Sequence, residues 1–125
     1  MNVPNNLKYT KDHEWLKVEG NTGFVGITDF AQSELGDIVF VDIAADVNEI
    51  SAGNSFGTIE AVKTLSELFA PCDGKVLEIN PKLQDEPQLI NSDAYGDGWI
   101  LKIEIANSAQ VNELLSDEDY SKLIS

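Results

Sequence analysis

A lysine between two apolar, strand-like segments is the residue of this chain best placed to do chemistry. Residues 56–62 and 65–70 have the composition of strands, and only Lys63-Thr64 separates them. So short a junction between two strands predicts a tight hairpin. The junction lacks the Asn-Gly or Asp-Gly pair that usually forms such turns. A lysine amine on a rigid turn suits recognition and acylation by an enzyme, although a lysine that only solubilises a turn gives the same pattern.

A second group of candidate residues is the charged triplet Asp12-His13-Glu14. His13 is the only histidine of the chain, and a histidine between carboxylates has the chemistry of a general base. No nucleophile with a recognisable spacing accompanies it, and the chain contains no arginine. The sequence therefore does not predict an independent enzyme. From the residues alone, the two carboxylates also fit an ordinary solvated edge strand.

Redox and metal chemistry have little support in the sequence. Cys72 is the single cysteine, which excludes an intrachain disulfide and a multi-cysteine metal site. Residues 93–98, with Glu104 behind them, superficially match a calcium-binding loop. The third ligand position is taken by Tyr95, and residues 99–105 alternate like a strand rather than an exiting helix. We therefore expect a turn before a strand here, and no metal site.

Composition limits the partners that this protein can have. The 125 residues include 22 acidic side chains against 8 lysines, for a formal net charge of −14. Such a balance argues against nucleic acid and anionic membrane surfaces, and favours partners with positively charged faces. No apolar stretch approaches the length of a membrane span, and the N-terminus lacks the apolar core of a signal peptide. We expect one cytoplasmic domain over residues 1–125.

The hydrophobic pattern predicts a mainly β protein. The clearest strand is 99–105, in which alternate residues are apolar, and the almost continuously apolar residues 38–43 predict a buried strand. Residues 14–19 and 23–28 flank Gly20-Asn21, a plausible hairpin turn. Shorter strands are predicted at 56–62 and 75–79.

Helical signals are few and short. Three helices are predicted: from Thr28 as N-cap to Glu34 with Gly36 as the stop, over residues 107–115, and over residues 117–124 after Ser116 as N-cap. Glycines spaced through the whole chain suit a small, turn-rich sandwich or barrel.

Several blocks of the chain resemble one known family. The blocks are KYTKDHEW at 8–15, VGITDFAQ at 25–32, LGDIV at 35–39, GTIEAVK at 57–63 with Ala70-Pro71 and Gly74, Asn80-Pro81, residues 87–91, and YGDGW at 95–99. They are similar to the H proteins of the glycine cleavage system, and the resemblance runs from about residue 7 to residue 120.

The resemblance implies a fold, a cofactor and a set of partners. The fold is a barrel-sandwich hybrid of two antiparallel sheets, like lipoyl domains, with short accessory and C-terminal helices. Lipoate is joined covalently to Lys63. The protein is then a non-catalytic shuttle that carries an aminomethyl group from glycine decarboxylase, a pyridoxal phosphate enzyme, to a tetrahydrofolate-dependent aminomethyltransferase. It delivers electrons to dihydrolipoyl dehydrogenase, and a lipoate-attaching enzyme modifies it.

The same resemblance assigns roles to residues around the lysine. Glu60, Val62 and Thr64 match the lipoylation motif. Val62 and Thr64 differ from the methionines that flank the lysine in biotinyl domains, and Val62 replaces the aspartate usual in the lipoyl domains of 2-oxo-acid dehydrogenases.

By position, Asp12, Glu14 and Glu67 resemble residues that line a cleft for the loaded arm. Carboxylates suit that cleft, because an alkylated amine is cationic near neutral pH.

Two other roles remain open on the sequence alone. The protein could relay lipoyl groups to other lipoate-dependent enzymes, or serve as an acidic interaction module without a prosthetic group. Cys72 stands where an aliphatic residue is more usual, and we expect it to be a small core residue. Disulfide exchange between Cys72 and the lipoyl arm is the alternative.

Overall fold

Two antiparallel sheets form the body of the protein, as the computed structural model, which describes residues 2–125, shows. A six-stranded sheet has the order β1-β2-β3-β9-β8-β5, and a three-stranded sheet has the order β4-β6-β7. The predicted barrel-sandwich architecture is confirmed. The strands are β1 (Lys8–Tyr9), β2 (Glu14–Glu19), β3 (Thr22–Ile27), β4 (Ile38–Asp42), β5 (Glu49–Ile50), β6 (Ser55–Ala61), β7 (Leu65–Phe69), β8 (Gly74–Ile79) and β9 (Leu101–Ile105).

Five short helices connect or follow these strands. They are α1 (Asp29–Leu35), α2 (Lys82–Asp85), α3 (Leu89–Ser92), α4 (Ser108–Asn112) and α5 (Asp117–Ile124). The caps of α1 and α5 are as predicted: Thr28 accepts a hydrogen bond from the Ala31 N–H, and Ser116 accepts one from the Asp119 N–H. The sequence did not predict α2 and α3, which follow Pro81 and Pro87.

The predicted helix over residues 107–115 is too long. Only α4 is helical, because the chain then has to meet the first strand. The backbones of Tyr9 and Leu115 exchange hydrogen bonds of 2.9 and 2.8 Å, and an extended pair of this kind is incompatible with continuing the helix. The last helix is thereby brought back to the start of the chain.

The hairpin of β2 and β3 has the predicted turn. Gly20 has φ +66°, a left-handed conformation that glycine adopts without steric cost. Register runs from Glu19 opposite Thr22 to Glu14 opposite Ile27. Glu14, the first residue of β2, is therefore fixed beside the last residue of β3, shortly before α1 begins.

The prediction of a buried strand at 38–43 is wrong in its burial. The strand forms, but Val39 and Phe40 are exposed. The pairing with β6 shifts between Ile38 and Phe40, so that one extra residue is inserted into β4 as a bulge. Both bulge side chains lie on the outer face, whereas alternation alone would have buried one of them.

Two clusters of buried side chains hold the elements together. The larger cluster fills the space between the sheets and includes Leu16, Ile59 and Ile103. The smaller cluster joins the two ends of the chain: Leu7, Tyr9 and Trp15 pack with Tyr120 of α5. The Tyr9 and Tyr120 rings stack with their centroids 4.7 Å apart.

Candidate functional site

Lys63 lies at the exposed tip of the β6–β7 hairpin. The Ala61 N–H donates a 2.8 Å hydrogen bond to the Thr64 carbonyl, so Val62-Lys63 form the tip, one residue earlier than the predicted Lys63-Thr64. The Val62 N–H donates to the Asp37 carbonyl at 3.0 Å. The turn is therefore held from outside by the segment after α1, which explains why it does not need Asn-Gly chemistry.

The side chain of Lys63 lies back over Gly36, the residue that ends α1. A Cβ atom on Gly36 would come within 2.9 Å of Lys63 Cε and 3.5 Å of Nζ. Gly36 also has φ +79°, which glycine adopts freely. Glycine at this position therefore ends the helix and leaves room for the lysine stem, so the amine rests at the C-terminal end of α1.

The side-chain amide of Asn91 on α3 fixes this end of α1. Its Nδ2 donates to the Gly36 carbonyl and to Gln32 Oε1, both at 2.9 Å, and its Oδ1 accepts from the Ile38 N–H at 2.9 Å. The segment that supports the Lys63 turn is thus tied to the body of the protein.

A cavity of about 350 Å³ lies beside α1. It is bounded by α1, by the start of β2 and by β7, the edge strand of the smaller sheet. The floor is apolar, and four carboxyl groups stand among the lining residues. The lining consists of Asp12, His13, Glu14, Ile27, Phe30, Ala31, Glu34, Leu35, Ile59, Ser66, Glu67 and Leu68. Leu35 of the lining precedes Gly36, over which the Lys63 side chain lies, so the lysine is close to the C-terminal end of the helix that bounds this cavity.

Glu14 is the one buried carboxyl group of the cavity, only 2% exposed. Its Oε1 accepts a hydrogen bond from Thr10 Oγ1 at 2.7 Å, and its Oε2 accepts one from the Phe69 N–H at 3.3 Å. Burial raises the pKa of Glu14 to about 7, because water no longer stabilises the carboxylate. The hydrogen bonds act in the opposite direction without cancelling that effect. A cation in the cavity would favour the carboxylate form.

His13 stands in a left-handed backbone conformation at the edge of the same cavity. Its φ of +70° is the only positive value among the non-glycine residues of the described chain. The ring is held from two sides: Nδ1 is 2.8 Å from the Tyr120 hydroxyl, and Phe30 packs at 4.9 Å between centroids. The Tyr120 hydroxyl is also 2.7 Å from Thr28 Oγ1. Burial lowers the pKa of His13, so the neutral ring is favoured.

Comparison with known proteins identifies the family of the chain. The model of the family described as glycine cleavage H-protein matches residues 7–125. The chain belongs to this H-protein family. The glycine cleavage system H protein of Carboxydothermus hydrogenoformans (strain ATCC BAA-161 / DSM 6008 / Z-2901) is 57% identical over 122 residues, which are 98% of this chain and 94% of that protein.

A solved structure supports the same assignment. The crystal structure of a glycine cleavage system H protein from Mycobacterium marinum superimposes with a TM-score of 0.87 at 37% sequence identity. The match covers 96% of this chain and 97% of that one.

Membership in the H-protein family confirms the carrier interpretation of the sequence. H proteins are lipoate-bearing, non-catalytic subunits of the glycine cleavage system, so the interpretation as an acidic module without a prosthetic group is set aside. In the described residues 2–125, no helix is both long and apolar enough to cross a membrane.

The structure separates the candidate residues into two groups. Asp12, Glu14 and Glu67 line one cavity, although they come from different parts of the chain. Glu60 instead points to the outer face of the smaller sheet, opposite Phe40 and Leu65.

Val62 and Thr64 are exposed in the turn that carries the lysine. Sequence reasoning did not identify Asn91 and Tyr120 as residues that support the site. It also did not predict that α1 forms one wall of the cavity. The Thr28 and Gly36 cap signals located α1 correctly but carried no information on what the helix packs against.

Cys72 is a fully buried residue of the larger core, as predicted. Burial raises the pKa of its thiol to about 11. We expect a thiol reagent at pH 8 to label native Cys72 about 100-fold more slowly than the urea-unfolded chain, because the thiolate fraction falls by that factor. Equal labelling rates in the native and unfolded protein, measured by mass spectrometry, would restore disulfide exchange with the arm as an alternative.

The raised pKa of Glu14 predicts how stability depends on pH. A folded pKa of about 7 against an unfolded value of 4.5 means that the stabilising effect of the neutral group is complete below pH 4.5 and is lost as pH rises to 7. The loss amounts to roughly 2–4 kcal/mol. Glu14→Gln keeps a neutral side chain at every pH. In urea unfolding, the free energy of unfolding of the wild type should therefore fall relative to that of the variant as pH rises from 4.5 to 8.

The comparison with the variant isolates Glu14 from the many other carboxyl groups of the chain, which titrate equally in both proteins. A difference in unfolding free energy that is the same at pH 4.5 and pH 8 would contradict the assignment of the titrating group.

Proposed function

We propose that the lipoyl group is joined by an amide to Lys63 Nζ, and that residues 1–125 act as a single lipoyl-carrier domain. The lysine is exposed at a hairpin tip that backbone hydrogen bonds hold in place, so an enzyme can reach its amine without unfolding the protein. Its neighbours Glu60, Val62 and Thr64 then serve as the recognised surroundings of the acceptor.

The cavity beside α1 fits the group that the lysine would carry. Its largely apolar lining, with Ile27, Ile59 and Leu68 among the residues, suits an aliphatic arm, and about 350 Å³ is within the usual size of small-molecule sites. When bound, lipoate supplies a disulfide that takes up an aminomethyl group as glycine is decarboxylated and later gives up that group and its electrons. The chain would supply Lys63 as the attachment point and the cavity beside α1 as a site that shields the arm from water.

The carboxyl groups of the cavity would hold the cationic end of the cargo. Glu14 is buried and accepts hydrogen bonds from Thr10 and Phe69, which fix its position. Asp12 and Glu67 are exposed at the cavity edge, where they add negative potential at the entrance. A buried charge-assisted hydrogen bond is about twice as strong as a neutral one, so Glu14 is the main contact in this proposal.

Protonation is the means by which this contact would protect the cargo. An amine carried on the bound group would be exposed to loss to water while its nitrogen lone pair is free. A carboxylate at Glu14 favours the ammonium form, in which that lone pair is engaged. The observation that carries the proposal is therefore the buried Glu14 carboxyl in a largely apolar cavity bounded by α1, the helix over whose C-terminal Gly36 the Lys63 side chain lies.

The finer partner assignments follow from this carrier role. Within the glycine cleavage system we assign loading to glycine decarboxylase, unloading to the tetrahydrofolate-dependent aminomethyltransferase and reoxidation to dihydrolipoyl dehydrogenase. A lipoate-attaching enzyme modifies Lys63 beforehand. The net charge of −14 suits encounters with positively charged faces on these enzymes.

Reconstitution tests the proposal. The purified protein is lipoylated, its modification is mapped by peptide mass spectrometry, and methylene transfer from glycine to tetrahydrofolate is followed with the three partner enzymes. A single modification at Lys63 and glycine-dependent transfer are expected. Modification elsewhere would overturn the attachment site, whereas lipoyl transfer to other carriers without methylene transfer would favour the relay role.

A further inference from the structure

Four large apolar side chains are exposed around the lysine on the outer face of the smaller sheet. Val39, Phe40, Val62 and Leu65, which we name the hairpin patch, are 48 to 75% exposed. Only three other large apolar side chains of the described residues reach comparable exposure, and they are scattered over β2, β8 and α5. Apolar exposure is thus concentrated beside Lys63, which marks this surface for a partner.

Strand register makes the patch continuous. Phe40 lies opposite Glu60, and Glu60 lies opposite Leu65, so these three side chains form one row across the sheet. The bulge in β4 adds Val39 to the same face. Val62 follows Glu60 by two residues at the hairpin tip. The bulge therefore exposes side chains that regular alternation would have divided between the two faces.

The length of the unmodified Lys63 side chain determines which partner must cover this surface. An unmodified lysine has only a four-carbon stem, so an enzyme that acylates Lys63 has to bring its active site to the hairpin itself. It must then cover the side chains next to the lysine. Enzymes that act on the distal end of the completed arm work several bonds further out and need not touch the hairpin.

We propose that the hairpin patch is the docking surface for the lipoate-attaching enzyme, which meets it with an apolar recess and a basic rim. This inference rests on the proposed attachment of lipoate to Lys63. Burying the patch would supply binding energy, and Lys63, which follows Val62 at the edge of the patch, would be presented at the enzyme's active site.

Charge complementarity supports the basic rim. Glu60 stands within the row, and Asp42 lies further along the same sheet face, while the backbone of Asp37 holds the turn from the side. Lys63 is the sole lysine between Lys17 and Lys75. Such a rim on a chain of net charge −14 repels a second copy and an anionic lipid surface, so a basic enzyme face is the matching occupant.

The test compares acylation rates of single variants of the unmodified protein. Leu65→Ser and Val62→Ser are incubated with a purified ATP-dependent lipoate-attaching enzyme, lipoate and ATP, and the modified fraction is followed by intact mass. Leu77→Ser on β8 is the matched control, since Leu77 is 47% exposed on the other sheet. We expect kcat/KM to fall about tenfold in the patch variants and to change less than twofold in the control.

Separate readouts keep this inference distinct from the carrier proposal. Val62 lies in an exposed turn, so its variant folds even if a strand substitution does not. After prolonged incubation to full modification, the patch variants should support glycine-dependent CO2 exchange within twofold of the wild type. Unchanged acylation of both variants would overturn the inference. So would a defect that appears only in CO2 exchange, whereas an unmodified Lys63 in the wild type would overturn the carrier proposal instead.

Discussion

We expect Lys63→Arg to abolish lipoylation and, with it, all glycine-dependent activity of the carrier, while the protein stays folded. A guanidinium is not a substrate for amide formation at neutral pH, because it remains protonated. The side chain is exposed on a turn that backbone hydrogen bonds hold, so the substitution should change the free energy of unfolding by less than about 0.5 kcal/mol. Intact mass and methylene transfer to tetrahydrofolate are the measurements.

Lys75→Arg is the matched control, since Lys75 is also exposed but lies on β8, away from the hairpin turn. It should be acylated at Lys63 at the wild-type rate. Acylation of the wild type removes one cation, so the formal charge changes from −14 to −15 and the band shifts on a native gel. Methylene transfer that persists in Lys63→Arg would remove this lysine from the mechanism altogether.

Glu14→Gln leaves lipoylation intact and shortens the lifetime of the loaded protein about tenfold or more. The amide keeps the shape of the side chain and the hydrogen bond from the Phe69 N–H, but it has no charge with which to hold an ammonium group. Hydrogen bonds to charged groups contribute about 1.5–3 kcal/mol, and decay proceeds from the undocked arm, so the rate rises by the corresponding factor. Formaldehyde released by the purified loaded protein measures it.

Glu67→Gln is the control for this prediction, because Glu67 stands at the exposed edge of the same cavity. Its effect should be smaller, since solvent screens exposed charges. The ratio of decay rates between Glu14→Gln and the wild type should also shrink at low pH, where Glu14 takes up its proton; this occurs below pH 7, because the cationic cargo lowers the pKa of Glu14 from its value of about 7 in the unloaded protein. Equal decay of the Glu14 variant and the wild type at pH 8 would exclude Glu14 as the contact.

Local chemistry made much of the fold predictable. Thr28 and Ser116 are N-caps whose side chains satisfy free backbone N–H groups within three residues, and that requirement is visible in the sequence. The Gly20 turn is equally local. The bulge at Val39 could not be predicted in this way, because it depends on how β4 pairs with β6 and no residue type within β4 indicates it.

The site was less predictable than the fold, since its contacts join distant parts of the chain. Asp12, Glu14 and Glu67 were found through the family resemblance, not through spacing. The burial of Glu14 opposes what its charge suggests, and it follows from the position of the β7 edge above it. The contact of His13 with Tyr120 links residues 107 positions apart, which no periodicity can indicate.

The packing of the last helix against the start of the chain also sets an order of events during synthesis. Both sheets have all their strands once β9 has left the ribosome, so the acylatable hairpin can form at that stage. The His13 ring gains its hydrogen bond only when α5 has been made, because its partner is the Tyr120 hydroxyl. We therefore expect the wall of the cavity that His13 forms to become fully ordered later than the hairpin that carries Lys63.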